Sequence, residues 1–178
     1  MPQLVQPSIK YKESYIKALQ EGFNSNTTAP EMTGAEIGII DQDFEAYLNK
    51  GKNPEKMFHA PDGKDYERVA QTTLWLVKGD LFIGCANIRH ELNDFLMMFG
   101  GHIGYAIRPS QRRQGYATLT LKLALDFLRE KGLTRALLTT AEHNIGSQKA
   151  IERNNGILEN VAEYSWLDYK LPRYWIDL

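Results

Sequence analysis

A short basic turn in front of a long amphipathic helix is the stretch of this sequence whose residue types could do chemistry. An apolar run over residues 103–107 ends at Pro109 and is followed by Arg112, Arg113 and Gly115. The first turn of a helix leaves backbone N–H groups without partners and carries partial positive charge, so it attracts anions. Glycine lets the backbone approach an oxygen closely, and the two arginines add full positive charge. The pattern predicts a turn that binds phosphate.

The helix that must position this turn is indicated by apolar spacing. Small and apolar residues recur on one face at helical intervals, namely Ala117, Leu121, Ala124, Leu125 and Leu128. Arg129 and Lys131 suit the negative end of a helix, and Gly132 can end it in the left-handed conformation. We therefore expect one helix from Gly115 to just before Gly132.

Three kinds of phosphate-binding turn join a strand to a helix, and their spacing separates them. A P-loop requires G-x-x-x-x-G-K-[ST], and a Rossmann turn requires G-x-G-x-x-G, whereas this turn holds one glycine. Residues 112–117, with the sequence RRQGYA, instead match [QR]-x-x-G-x-[GA]. This motif resembles the acyl-CoA pyrophosphate loop of the GNAT acetyltransferase superfamily.

The surrounding sequence extends the resemblance over roughly residues 74–156. An apolar-x-Pro pattern ends the strand at Ile107, and a later strand ending at Ala141 is followed by Asn144 at the start of another helix. That helix, with N-x-x-S at 144–147 and I-E-R at 151–153, is similar to the branch that includes ribosomal-protein N-terminal acetyltransferases and uncharacterised relatives. The resemblance implies an α/β fold in a single domain over residues 1–178, with a mixed central sheet, two splayed strands and flanking helices.

The resemblance also implies the cofactor site. Acetyl-CoA would be the cosubstrate, with its pantetheine arm between the strands that end at Ile107 and Ala141 and its pyrophosphate on the turn. The residues carried over to cofactor binding are Ile107, Arg112, Arg113, Gln114, Gly115, Tyr116, Ala117, Thr118, Asn144 and Ser147. From the residues alone, Asn144 is also an ordinary helix N-cap and Ser147 an ordinary polar residue one turn later.

The sequence indicates the catalytic groups less clearly than the cofactor site. Acetyl transfer to an amine requires a proton acceptor for the ammonium, donors for the oxyanion and, in many enzymes, a proton for the departing thiolate. Many GNAT enzymes carry a tyrosine seven residues after the asparagine, but here that position is Ile151. Tyr164 or Tyr105 would supply the acid if the fold brings it near the sulfur. His102 is the predicted base, with a structural, hydrogen-bonded role as the alternative, and His90 is a weaker candidate.

Composition excludes several other classes of protein. The chain has 178 residues, 43% of them hydrophobic, and a formal net charge of −1, which argues against a nucleic-acid-binding module. Cys85 is the only cysteine, so neither a disulfide framework nor a cysteine zinc site can form within one chain, and the histidine spacing suggests no metal pair. No signal-peptide core and no run of 18 apolar residues is present. We expect a cytoplasmic protein with no metal and no membrane partner, of open oligomeric state.

No motif identifies the acceptor, which would be an amine. Residues 31–45 hold five acids and no Lys or Arg, a pattern that would draw a cationic amine or would equally suit a solvated surface. Polyamine, aminoglycoside, amino acid and protein N-terminus all stay open. The sequence favours an N-acetyltransferase that transfers the acetyl group directly, and Ile151 motivates the alternative of a GNAT-fold protein that binds acyl-CoA without turnover.

The remaining elements follow from local patterns. We expect a strand at residues 4–9, a helix at 12–23, a helix capped by Asp41 and ended by Gly51, a loop at 53–65, and a hairpin turning at 78–80. Residues 24–38 carry no clear pattern. Two antiparallel strands, at 157–169 and 173–176, end the chain.

Overall fold

The computed structural model describes residues 1–25, 30–52 and 55–178. The strands are β1 (Gln3–Val5), β2 (Met57–His59), β3 (Asp65–Glu67), β4 (Gln71–Lys78), β5 (Leu81–Arg89), β6 (Ile103–Ile107), β7 (Arg135–Thr139), β8 (Ile157–Ala162) and β9 (Leu171–Asp177). The helices are α1 (Lys12–Gln20), α2 (Gly34–Gln42), α3 (Phe44–Lys52), α4 (Asp94–Met98), α5 (Tyr116–Glu130) and α6 (Ile145–Glu152). None of the helices in these ranges is long and apolar enough to cross a lipid bilayer.

The strands form two main sheets that meet at β6 and β7. One sheet has the order β1-β4-β5-β6, the other has the order β7-β9-β8, and β2 pairs with β3 in a separate hairpin. A single bridge joins Gly101, just before β6, to Leu138 of β7. Within the described ranges β6 and β7 share no further ladder, so the two strands separate beyond that bridge. This opening confirms the predicted pair of splayed strands.

Helix α5 packs against both sheets through one apolar face. Leu121 and Leu128 are fully buried and share a core cluster with Ile88 of β5, Ile103 of β6 and Leu138 of β7. The helix predicted from Gly115 to just before Gly132 is confirmed, since α5 spans Tyr116–Glu130. Because Tyr116 and Ala117 pack in one cluster with Ile107, the N-terminus of α5 is fixed beside the end of β6.

An aromatic cluster covers the other face of the first sheet. Tyr15 of α1 stacks on Trp75 of β4 with ring centroids 4.6 Å apart and meets Phe82 of β5 edge-on at 4.9 Å. Phe44 of α3 packs against the same tyrosine at 5.8 Å. Such pairs add to the stabilisation that area burial alone supplies. The cluster attaches α1 and α3 to the sheet that carries β6.

The helices near the N-terminus differ from the sequence-based expectation. A helix, α2, begins in the unassigned stretch, where Thr33 and Glu36 form a capping box with Thr33 N–H donating to Glu36 Oε2 at 2.7 Å. Asp41 therefore lies inside α2, and Asp43 takes the predicted capping role by accepting the Ala46 N–H at 2.9 Å. The prediction that Asp41 caps a helix is wrong, although the sequence pattern T-x-x-E at 33–36 indicates the true start.

Other boundaries also differ: the helix expected at 12–23 ends at Gln20, and α3 continues past Gly51 to Lys52. The expected loop at 53–65 contains β2, which pairs with β3 through Phe58 and Tyr66. Pro54 of that loop and residues 26–29 of the unassigned stretch lie outside the described residues. Strand β1 ends at Val5, and β8 ends at Ala162. The hairpin turn at 78–80 is confirmed.

Candidate active site

The turn between β6 and α5 holds two residues in the left-handed region. Arg113 has a φ of 64° and Gly115 a φ of 81°. This region is strained for residues with a Cβ and unstrained for glycine. A Cβ at Gly115 would meet no heavy atom within 4 Å, so the backbone conformation, and not packing, requires glycine there.

The backbone N–H groups after Gly115 are unpaired. The first bond of α5 runs from the Leu119 N–H to the Gly115 carbonyl at 3.1 Å. Within the described ranges, the amides of residues 115–118 donate to no protein acceptor. None of these four residues is buried. Four consecutive donors at the positive end of a helix suit a pyrophosphate.

Two side chains of the turn bond to nearby backbone carbonyls, and a third is exposed to solvent. Arg112 Nε donates to the Ile107 carbonyl at 3.1 Å, so this arginine folds back over the end of β6. Gln114 Nε2 donates to the Ser110 carbonyl at 3.4 Å. Arg113 is exposed and forms no ion pair with any described residue, which leaves its charge available to an anion beside the four amides.

An ion pair that the sequence analysis did not find anchors the start of the turn. Arg108 is 7% exposed, and its Nε lies 3.0 and 2.9 Å from the two carboxylate oxygens of Glu21, which follows α1. The Ser110 N–H donates to the same carboxylate at 3.3 Å. These bonds, Arg108 first, lower the pKa of Glu21 from 4.5 to about 2. No local pattern could reveal the pair, because its members lie 87 positions apart.

Strand β6 directs backbone groups toward the opening. The Arg108 N–H donates to the Ile83 carbonyl of β5 at 2.8 Å, and hydrogen bonding to a partner strand alternates along an antiparallel strand. Tyr105 and Ile107 therefore direct their backbone groups away from β5, toward β7. The Ile107 carbonyl already accepts from Arg112, so its N–H is the group left for a ligand.

The N-terminus of α6 closes over the same opening. Asn144 is its N-cap, since Oδ1 accepts the Ser147 N–H at 3.1 Å. The Tyr105 hydroxyl donates to the Ser147 carbonyl at 3.4 Å. The structure thus brings Tyr105, Asn144 and Ser147 together. Ile151, the position of the family tyrosine, is 1% exposed and belongs to the core.

His102 lies where β6 and β7 meet. Its backbone N–H donates to the Leu137 carbonyl at 2.7 Å, and its Nδ1 accepts the Leu137 N–H at 2.9 Å. A neutral imidazole whose Nδ1 accepts carries its proton on Nε2, so no lone pair remains for a substrate proton. Burial lowers the pKa of His102, which favours this neutral form. The geometry favours the structural alternative for this histidine.

Tyr164 contacts α4 and Trp166. It follows β8, its hydroxyl donates to the Met98 carbonyl at the end of α4 at 3.3 Å, and its ring stacks on Trp166 with centroids 5.2 Å apart. The catalytic role of Tyr164 stays a prediction.

The acidic stretch at residues 31–45 has structural partners. Glu36 completes the capping box of α2, Asp43 caps α3, and Asp41 pairs with Lys12 of α1 at 3.0 Å. These contacts favour the ordinary interpretation of the acids over an amine-attracting cleft. Among the described residues, no group of three or more His, Cys, Asp or Glu side chains is arranged to hold a metal ion.

The turn, the opening and the helices around them match a known domain family. The family model of the acetyltransferase (GNAT) domain covers residues 37–156, which include β6, the turn, α5, β7 and α6. This chain belongs to the GNAT acetyltransferase family. It is an acetyl-CoA-dependent acetyltransferase, and acetyl-CoA is its cosubstrate. The superfamily predicted from the turn motif is confirmed.

Similar solved structures share the fold over nearly the whole chain. RimL, a ribosomal-protein acetyltransferase in complex with coenzyme A, is 13% identical with a TM-score of 0.62, over 99% of this chain and 94% of that one. MccE, a microcin self-immunity acetyltransferase in complex with acetyl-CoA and AMP, is 16% identical with a TM-score of 0.64, over 99% and 92%. SpeG, a spermidine/spermine N-acetyltransferase from Vibrio cholerae, is 13% identical with a TM-score of 0.60, over 99% and 95%. Among curated proteins, no sequence matches the chain.

Proposed function

We propose that this GNAT protein transfers the acetyl group of acetyl-CoA directly to a primary amine. The observation that carries the proposal is the set of four unpaired amides at residues 115–118, placed beside the opening between β6 and β7. RimL is an α-N-protein acetyltransferase and SpeG a spermidine/spermine N-acetyltransferase, and both activities support an amine as the acceptor.

The cofactor roles follow the predicted set. The amides of residues 115–118 and the side chain of Arg113 hold the pyrophosphate, and the backbone of Ile107 and Tyr105 holds the pantetheine arm. Arg112 serves indirectly, because it orients the Ile107 carbonyl. Asn144 and Ser147 line the arm from the α6 side.

Direct transfer requires no enzyme nucleophile. The amine attacks the thioester carbonyl, the tetrahedral oxyanion collapses, the carbon–sulfur bond breaks, and the sulfur leaves as a thiolate or takes a proton. Burial raises the pKa of Cys85 to about 12, so this core thiol stays protonated and is a poor nucleophile.

Tyr105 is the better placed of the two tyrosines to protonate the thiolate. Its hydroxyl lies against the first turn of α6, at the opening through which the arm must pass. Burial raises the pKa of Tyr105, so the hydroxyl keeps its proton at neutral pH. With His102 bound through Nδ1, we assign deprotonation of the ammonium to solvent.

A panel assay of coenzyme A release tests the proposal. Purified protein with acetyl-CoA is given polyamines, aminoglycosides, amino acids and peptides with free N-termini, and thiol release is followed. Turnover with at least one amine is expected. Acetyl-CoA binding without thiol release across the panel would favour the acyl-CoA-binding module instead. A single domain over residues 1–178 and a cytoplasmic location stay predictions of the sequence.

A further inference from the structure

A small cavity lies at the end of β6 opposite the phosphate-binding turn. Its volume is about 150 Å³, and it opens between the β2–β3 hairpin, the end of β5 and α4. Three phenylalanines, Phe58, Phe95 and Phe99, form its apolar walls, and Arg68 and Arg89 supply its charge. Among the described residues, no acidic side chain lines the cavity.

Arg89 has hydrogen-bonding capacity that the protein does not use. Its Nη1 donates to the Gly101 carbonyl at 2.8 Å and to the Gly100 carbonyl at 3.4 Å, whereas its Nε and Nη2 N–H groups have no acceptor among the described residues. No described side-chain nitrogen is both buried and unpartnered, so those groups reach the cavity or solvent. A guanidinium presents N–H groups in a planar fork that matches a carboxylate.

Arg68 brings a second positive charge to the same wall. Its guanidinium carbon lies 5.0 Å from the centre of the Phe58 ring, a cation–π contact that fixes its direction. Neither arginine forms an ion pair with any carboxylate of the described ranges. Burial lowers the pKa of Arg89, and the neighbouring charge of Arg68 lowers it further. Two like charges without a counter-ion leave this wall suited to an anion.

The cavity adjoins the end of the opening where the thioester would lie. Gly100, one of its lining residues, donates its N–H to Thr139 Oγ1 of β7 at 2.9 Å, and the bridge between Gly101 and Leu138 follows at once. A cofactor whose phosphates sit on the turn and whose arm follows β6 directs its acetyl group toward this end.

We propose that the acceptor is an amine that also carries a carboxylate, with Arg68 and Arg89 binding the carboxylate and the three phenylalanines contacting an apolar side chain. Apolar amino acids have this chemistry. The inference rests on the proposed function for the amine, whereas the carboxylate site rests on the cavity alone.

Binding of a matched pair of ligands tests the site without turnover. N-acetyl-L-leucine and N-acetyl-L-leucinamide have the same shape and differ in charge, and their affinities are measured by calorimetry with saturating coenzyme A. We expect the acid to bind about tenfold more tightly than the amide, as a charge-assisted bidentate contact provides. In Arg68→Gln and in Arg89→Lys, which keeps the charge but loses the fork, the preference should shrink to less than about threefold.

A control variant removes another arginine that lies over an aromatic ring, outside the cavity. Arg135 lies 4.4 Å over the Trp175 ring on β7 and β9, so Arg135→Gln makes the same change in charge and should keep the preference for the acid. Equal binding of acid and amide by the wild-type protein, or an unchanged preference in Arg68→Gln, would overturn the proposal. Arg68 is exposed, so that variant tests the site even if Arg89→Lys does not fold.

Turnover separates this proposal from the proposed function. The ratio of kcat/KM for L-leucine to that for L-leucinamide is compared between wild type and Arg68→Gln, so the difference in amine basicity cancels. A fall in this ratio supports both proposals. A preference in binding with no acetylation of any amine would contradict the proposed function and leave the carboxylate site standing, whereas acetylation of amines with no preference for the acid in either measurement would contradict the site alone.

Discussion

Single residues far apart in the sequence fix the start of the phosphate-binding turn. Arg108 and the Ser110 N–H both bond to Glu21, so the end of β6 and the end of α1 share one carboxylate. Because Arg108 is buried, removal of Glu21 leaves a buried charge without its partner.

The first prediction concerns the pH dependence of this pair. The folded-state pKa of Glu21, about 2, lies below its usual 4.5, so its contribution to stability is full above about pH 4.5 and is lost as pH falls toward 2. Because the Glu21 side chain is 30% exposed, we expect a contribution on the order of 2 kcal/mol. In urea unfolding, Glu21→Gln should be less stable at pH 7 and should lose less stability on acidification. Glu163→Gln, which removes an exposed pair with Lys170, is the control and should behave as wild type.

The second prediction separates the two roles of His102. His102→Asn offers an oxygen that can accept the Leu137 N–H in place of Nδ1, whereas His102→Ala leaves that donor unpaired. We expect both variants to keep kcat/KM within about tenfold and to keep the wild-type pH profile, and His102→Ala alone to lose about 1–3 kcal/mol of stability. A fall of about 10²–10⁴-fold in kcat/KM in the stable Asn variant would instead identify a general base.

The third prediction concerns the proton donor to the thiolate. Tyr105→Phe should lower kcat by about tenfold to a hundredfold, below the usual range for a general acid because a thiolate is a tolerable leaving group, with acetyl-CoA affinity unchanged. Tyr164→Phe is the matched control, since its hydroxyl bonds the end of α4. If Tyr164→Phe loses activity and Tyr105→Phe does not, the assignment between the two tyrosines is reversed.

Sequence pattern was sufficient to predict those helices, strands and turns whose structure is decided by one local signal. The run of apolar residues in β6, the glycine of the turn and the helical spacing of α5 each act over a few residues, and all three were predicted. The start of α2 was missed although Thr33 and Glu36 mark it, because residues 24–38 lack strong apolar spacing around that signal. The cavity with Arg68 and Arg89 could not be predicted, since a hairpin, a strand and a helix distant in sequence create it together.

The fourth prediction tests how closely β6 and β7 must approach. A Cβ at Gly101 would lie 2.3 Å from the Leu137 carbonyl oxygen, and φ there is +62°. Gly79, in the β4–β5 turn, has a φ of +60° and open space around an added Cβ, so Gly79→Ala carries the same backbone cost without the clash. Gly101→Ala should therefore be less stable than Gly79→Ala by about 1–3 kcal/mol in denaturant unfolding. Equal losses would show that the two strands can move apart at no cost.

Strand β6 connects two sites of different chemistry. The turn at its C-terminal end offers backbone amides to phosphates, and the cavity at its other end offers two arginines and aromatic walls. The family model ends at residue 156, before β8 and β9, whereas the similar solved structures cover 99% of the chain and so include both strands. Arg173 of β9 donates to the Met97 carbonyl at the end of α4, and in this way β9 supports a wall of the cavity.

Binding of acetyl-CoA through the turn at Gly115 is tested by one pair of variants. Gly115 and Gly132 flank α5, with φ of +81° and +87°, and both have open space around an added Cβ. Gly115→Glu and Gly132→Glu thus carry a similar backbone strain and the same added charge. Calorimetric titration with acetyl-CoA should show wild-type affinity in Gly132→Glu and a loss of about a hundredfold or more in Gly115→Glu, where the carboxylate would repel the pyrophosphate. Equal affinity in the two variants would mean that the pyrophosphate does not bind at this turn.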